Sequence, residues 1–227
     1  MEVILAAAAG LAATGFTLDL VSGQVRRPRP HVAAYAAGMA MFSIATWALL
    51  LGLTVGWSGA VYRVFFLFGG ILNIPYLALG SMFLVAGRRA GHTAFLVVGA
   101  ITAIATTLTA TVPFARPLPS GGVPEGIFPP IGEGFTPRLL AAIGGGLGAT
   151  VLIALAVTSV VRFARTNRRL IAANLLIVAG TLAASAGGSL TAFGEGGGLA
   201  VSLLAASVLI WLGYRTASLA RPGETGS

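Results

Sequence analysis

Long apolar segments without a single charge, such as Val32–Val55 and Val64–Ala86, constrain this chain more than any other feature. A charge-free apolar run of about 18 residues or more reads as a transmembrane helix rather than as the core helix of a soluble domain. The rest of the 227-residue chain does not dilute that reading. It is 56% hydrophobic and only 9% charged, with a mean hydropathy of +0.93, where a soluble domain carries about a quarter charged residues. The class implied is a polytopic membrane protein.

Seven spans are expected, at Val3–Ser22, Val32–Val55, Val64–Ala86, Thr93–Phe114, Leu139–Val161, Leu170–Leu190 and Leu199–Tyr214. The seventh is short and has room to begin within the Gly196–Gly198 run. The fold class is therefore all-α, one seven-helix transmembrane domain over residues 1–221, with an outer loop at 114–138 and a short tail at 222–227. Spans one to three and five to seven run in the same directions about a lone fourth, which is compatible with a 3+1+3 repeat.

Charge then sets orientation. All fourteen basic residues are Arg, and they fall in short segments between apolar runs instead of on one binding face, so the net charge of +8 is a topology signal and not a nucleic-acid footprint. Eleven of them (Arg26, Arg27, Arg29, Arg88, Arg89, Arg162, Arg165, Arg168, Arg169, Arg215, Arg221) follow the odd-numbered spans, against Arg63, Arg116 and Arg138 on the other side. The positive-inside rule then puts the N-terminus outside and the C-terminus in the cytoplasm. Glu2 stands where a signal peptide would need a basic start, so the first span is expected to stay. Arg without Lys, in an Ala- and Gly-rich chain, suggests a GC-rich bacterial genome and hence a bacterial inner, cytoplasmic membrane.

Polar residues inside apolar spans are the site candidates. In the third span Tyr62, Gly69, Asn73, Tyr76 and Gly80 share one helical face at about 100° per residue, and Pro75 is expected to kink the helix by withholding an N–H from Ile71. Two readings stay open for Asn73 and Tyr76: an interhelical packing seam, or a polar pocket at the kink. Asp19 is the only acid within a span. It is either a carboxylate paired with Arg26, Arg27 or the Arg162–Arg169 loop, or a proton-coupling group. Trp47 lies deep in the second span and needs an acceptor for its indole N–H. Asn174 opens a polar stripe in the sixth span, and Gly144 and Gly148 repeat at helix-packing spacing in the fifth. In the loop 114–138, Ile127, Phe128, Ile131 and Phe135 fit either a lid over the outer mouth or a Pro-rich mobile connection.

Enzymatic chemistry finds no support. Cys is absent, both His31 and His92 sit at the expected cytoplasmic edge, and neither a zincin motif nor paired intramembrane carboxylates occur. No metal or cofactor is expected.

Seven spans with an outside N-terminus resemble microbial rhodopsins, but the Schiff-base Lys that family requires is missing because the chain contains no Lys. The topology is also similar to SWEET-type transporters, although Pro75 is the only deep proline. Tyr62-Arg63, the segment Leu72-Asn-Ile-Pro-Tyr-Leu-Ala-Leu-Gly80 and the segment Asn174–Thr181 resemble uncharacterised seven-span integral membrane proteins of actinobacteria. That resemblance implies the architecture and carries no activity. The function expected is a small-molecule carrier or ligand-binding membrane protein with a pocket near the third span. The alternative is a non-catalytic scaffold subunit packing on another membrane protein or on itself. The lipid bilayer is the one partner common to both.

Overall fold

A computed structural model describes residues 1–163, 168–192 and 197–219, and among these the regular secondary structure is all helical, with no strand. The elements are α1 (Glu2–Arg26), α2 (Pro30–Thr54), α3 (Gly59–Phe65), a π-helical segment (Phe66–Leu72), α4 (Asn73–Ser81), a second π-helical segment (Met82–Ala86), α5 (Gly87–Thr111), α6 (Pro137–Phe163), α7 (Arg168–Ala192) and α8 (Gly197–Leu219). Among the described residues, five helical stretches are long and apolar enough to cross a membrane, and Leu175–Ala184 in α7 is a shorter apolar one.

The helices are apolar on the outside as well as the inside. On α1, Ala6, Ala9, Ala13, Phe16 and Leu20 are buried, while Ile4, Leu11, Leu18 and Val25 form an exposed stripe at seven-residue spacing. A helix that is hydrophobic all round has no aqueous face to offer. This is the surface of a membrane-embedded protein.

The 53-residue helical stretch Gly59–Thr111 would extend about 80 Å if straight, far beyond a hydrocarbon core of about 30 Å. It reverses instead at Gly87, whose φ of +89° lies in a region open to glycine and strained for other residues. The pairs Arg63–Thr109, Tyr76–Thr102, Leu79–Val98 and Phe83–His92 run in opposite directions, so α5 returns antiparallel along α4 and both π segments. The third and fourth expected spans thus meet at a one-residue corner rather than through a loop. α5 ends at Thr111, short of the expected Phe114, because Pro113 forces Val112 out of the helical region (ψ 127°). α8 begins at Gly197, within the glycine run expected to hold its start.

The expected kink at Pro75 takes the form of a change of helical register. The Asn73 N–H reaches back five residues to the Phe68 carbonyl, the Ile74 N–H is taken by Asn73 Oδ1 at 2.7 Å, and Pro75 has no N–H. The wider π turn therefore absorbs the interruption, and Pro75 falls in the first turn of α4, where its missing donor costs little. α6 seats on this point. A Cβ on Gly144 would come within 3.0 Å of the Ile71 carbonyl oxygen, and one on Gly148 within 2.8 Å of Ile74. Only glycine lets the two backbones approach so closely, which is what small-residue spacing accomplishes in membrane helices. Gly180 and Gly213 do the same between α7 and α8, against the Ala206 and Ala173 carbonyls.

Candidate functional site: a cavity beneath an aromatic cap

Between α2, the first π segment, α6 and the ends of α7 and α8 lies a cavity of about 830 Å³, within the range of small-molecule sites. Its origin is the composition of one helix face. α6 turns Arg138, Ala141, Ala142, Gly145, Gly146 and Ala149 toward it, so that below the arginine this wall carries nothing larger than a methyl group. Opposite stand Phe42, Ala45 and Thr46 of α2 and Phe65, Phe66, Gly69 and Gly70 of the third helical segment; Leu199 and Leu203 come from α8. Asn73 forms part of the wall at depth, 4% exposed. Its Oδ1 is spent on the Ile74 N–H, which turns the amide nitrogen into its remaining polar resource; among the described residues that nitrogen has no partner.

The loop between α5 and α6 closes over one end. Phe128 is wholly buried, with its ring centroid 5.0 Å from Phe66, 5.4 Å from Phe114 and 5.5 Å from Tyr62. Trp57 Nε1 donates to the Gly122 carbonyl at 2.7 Å, and the Ala115 N–H donates to Ile127 O at 2.7 Å. The Arg63 guanidinium lies 4.4 Å over the Phe114 ring and donates to the Thr109 carbonyl. Burial of this kind stabilises by roughly 1.5–3 kcal/mol per large side chain, so the loop is a fixed cap. Ile127 and Phe128 anchor it, whereas Phe135 is exposed, and Ile131, also largely exposed, borders the cavity. Arg116, Glu125 and Arg138 stand at the cavity mouth.

The structure separates the expected site residues. Tyr62, Gly69 and Asn73 reach the cavity, but Tyr76 and Gly80 do not, because the π turn rotates the helix beyond it. Tyr76 pairs with Thr102 Oγ1 of α5 at 3.3 Å, and Gly80 faces the Tyr35 ring of α2. Trp47 is 40% exposed on the outer surface of the α1–α2 pair, away from the cavity. Its acceptor is Thr14 Oγ1 at 3.0 Å; that hydroxyl donates to the Gly10 carbonyl and also meets Ser43 Oγ at 2.8 Å, so all three groups are satisfied.

Asp19 has a different cation from those expected. Its Oδ2 accepts from Trp211 Nε1 at 2.9 Å and from Arg215 at 3.1 Å, both on α8. Arg26, Arg27 and the Arg162–Arg169 segment are the nearer candidates in sequence. α8 packs along α1 and presents Trp211 and Arg215 four residues apart on one face, which places a donor and a cation together at Asp19. The side chain of Asn174 lies outside the described residues, as do the Arg165 segment and the tail. His92 pairs through Nδ1 with the Arg88 carbonyl at 2.6 Å and rests edge-on against Phe83, a structural role at the α5 start. Among the described residues no three His, Asp or Glu converge on a point that could hold a metal.

Sequence reasoning missed the mouth. In the sequence Arg116, Glu125 and Arg138 register only as topology charges, and the signal that they share a cavity rim is in the loop's conformation. No protein-family model matches the chain, and no curated protein or solved structure does either.

Proposed function

We propose that this chain is a seven-span membrane protein that binds a small molecule, as a carrier or a ligand-binding protein, in the cavity between α2, the first π segment and α6. In this reading the Gly87 corner joins the third and fourth spans, α7 is the sixth, and the positive-inside rule puts the capped mouth outside a cytoplasmic membrane. The observation that carries the reading is the cavity itself: about 830 Å³ at a break in helical register, with the Asn73 amide on its wall and, among the described lining residues, charged groups only at its rim. Such a mostly apolar space with few placed polar groups is the usual form of a ligand site, and π segments occur often at functional positions.

The scaffold alternative draws on glycine-rich faces left for a partner. Gly144, Gly148, Gly180 and Gly213 are instead spent on backbone contacts within this chain, which favours the pocket. Among the described residues lining the cavity the one acid is Glu125 at its mouth, and the reading is non-enzymatic.

The test is a thermal-stability screen of small molecules on the purified protein and on Gly145→Leu. Position 145 lines the cavity and has nothing within 4 Å of a Cβ, so the leucine side chain starts in open cavity space. Compounds that stabilise the wild type and fail on the variant support the reading. If every stabilising compound acts equally on both, the cavity is not the binding site.

A further inference from the structure

The three arginines near the cap have different fates. Arg63 is engaged by the Thr109 carbonyl and the Phe114 ring. Arg116 and Arg138 have neither a hydrogen bond nor an ion pair among the described residues, yet they converge. A Cβ built on Gly126 would lie 3.5 Å from Arg116 Nη1 and 3.9 Å from Arg138 Nη1. Two guanidinium groups aimed at one point repel each other until an anion comes between them, and a carboxylate or phosphate accepts their paired N–H donors. Glu125 shares the rim without bonding to either, so among the described residues lining the mouth positive charge exceeds negative by one. Below it, α6 offers Ala141, Gly145 and Ala149 as an open wall that runs about 16 Å along the helix axis from Arg138, facing Phe66 and Leu203.

A cationic rim over a long apolar slot matches a molecule divided the same way. We propose that the cavity takes an anionic amphiphile, with its phosphate or carboxylate head between Arg116 and Arg138 and its apolar chain laid along the Ala/Gly face of α6. The inference rests on the pocket reading and adds the chemistry of the ligand. Uncharged amphiphiles lack the head interaction, and a free anion lacks the burial of the chain.

The experiment uses the full chain purified in an uncharged maltoside detergent, with dodecyl phosphate as the probe and calorimetric titration as the readout. Dodecyl phosphate is expected to bind saturably at one site, and dodecanol at least about tenfold more weakly, given what hydrogen bonds to charged groups contribute. The double variant Arg116→Gln/Arg138→Gln should lose a similar factor, and Gly145→Leu should abolish binding. Glu125→Gln removes the opposing charge and should tighten binding about threefold, as expected of an exposed charge pair; this arm decides the matter if the double variant fails to fold. Equal binding of dodecanol and dodecyl phosphate, indifferent to the arginines, overturns the anionic head and leaves the pocket standing. Inorganic phosphate binding as tightly as dodecyl phosphate overturns the amphiphile in favour of a free anion. Binding that needs the arginines but survives Gly145→Leu assigns them to surface lipid headgroups and overturns the slot. If neither molecule binds, the amphiphile is overturned, and the pocket reading stands or falls by the compound screen on Gly145→Leu.

Discussion

The two ends of the helical bundle solve the same packing problem in opposite ways. At the end away from the cap, α1, α2, α4 and α8 meet through large side chains: Phe16, Leu20, Met39 and Leu77, with Trp211 and Tyr214 packed against them. Phe16 lies 5.4 Å from Tyr214 and 6.4 Å from Trp211, ring to ring, so aromatic side chains fill the space between α1 and α8. At the capped end, α6 contributes alanine and glycine where the other end has leucine and tryptophan, and the space stays open beneath a roof of Phe128, Phe114 and Tyr62. Small residues thus do two separate things on a single helix. Gly144 and Gly148 bring α6 onto the backbone at Ile71 and Ile74, while Gly145 and Ala149, about 100° round the axis from them, hold a wall back.

The comparison breaks most readily at the roof. Phe128→Ala should cost about 3–5 kcal/mol, as for other wholly buried aromatic side chains, and should expose the loop to proteolysis; thermal unfolding and limited digestion in detergent check both. A loss under about 1 kcal/mol would mean that the cap is not held by this ring. Next comes Gly148→Leu, which forces a side chain into the 2.8 Å gap at Ile74 and should destabilise by about 1–3 kcal/mol or more.

The sharpest contrast uses one added residue at both ends. Ala13 is 0% exposed in the filled end, so Ala13→Leu should cost about 1–3 kcal/mol by overpacking. Gly145→Leu enters open space and should stay within about 0.5 kcal/mol of the wild type, or gain stability from its better helix propensity. Equal losses at the two positions would erase the distinction between a filled and an open end. The smallest effect is expected at Asp19→Asn. The amide oxygen still accepts from Trp211, and the lost pair is with an Arg215 side chain 60% exposed, so the change should be under about 1 kcal/mol. A collapse of the protein on this substitution would show that Asp19 does more than latch α8 to α1.

Much of this was legible in the sequence, and the limits are physical. Apolar runs fix where helices lie because lipid demands internally satisfied backbones, and Gly144 and Gly148 announced a close contact by their spacing. The Asn73–Pro75 segment announced a break. Its consequence was not legible. A strict 100° period put Tyr76 beside Asn73, and the π turn between Phe66 and Leu72 parts them, since one extra residue per turn changes the phase of everything beyond. The Asp19–Arg215 pair spans most of the chain, and only the docking of α8 on α1 creates it. Likewise, Arg116 and Arg138 meet because Phe128 pins the loop, and no local pattern encodes that.

Water and small molecules should reach the cavity but not the filled end. Because the chain contains no cysteine, single cysteines report this without background. Gly145→Cys and Ala13→Cys, each in proteoliposomes, are treated with a small membrane-impermeant methanethiosulfonate, and labelling is read by mass. Rapid modification at 145, with none at 13 until the protein is denatured, is the predicted result. Protection of both positions would contradict an open cavity beneath the cap.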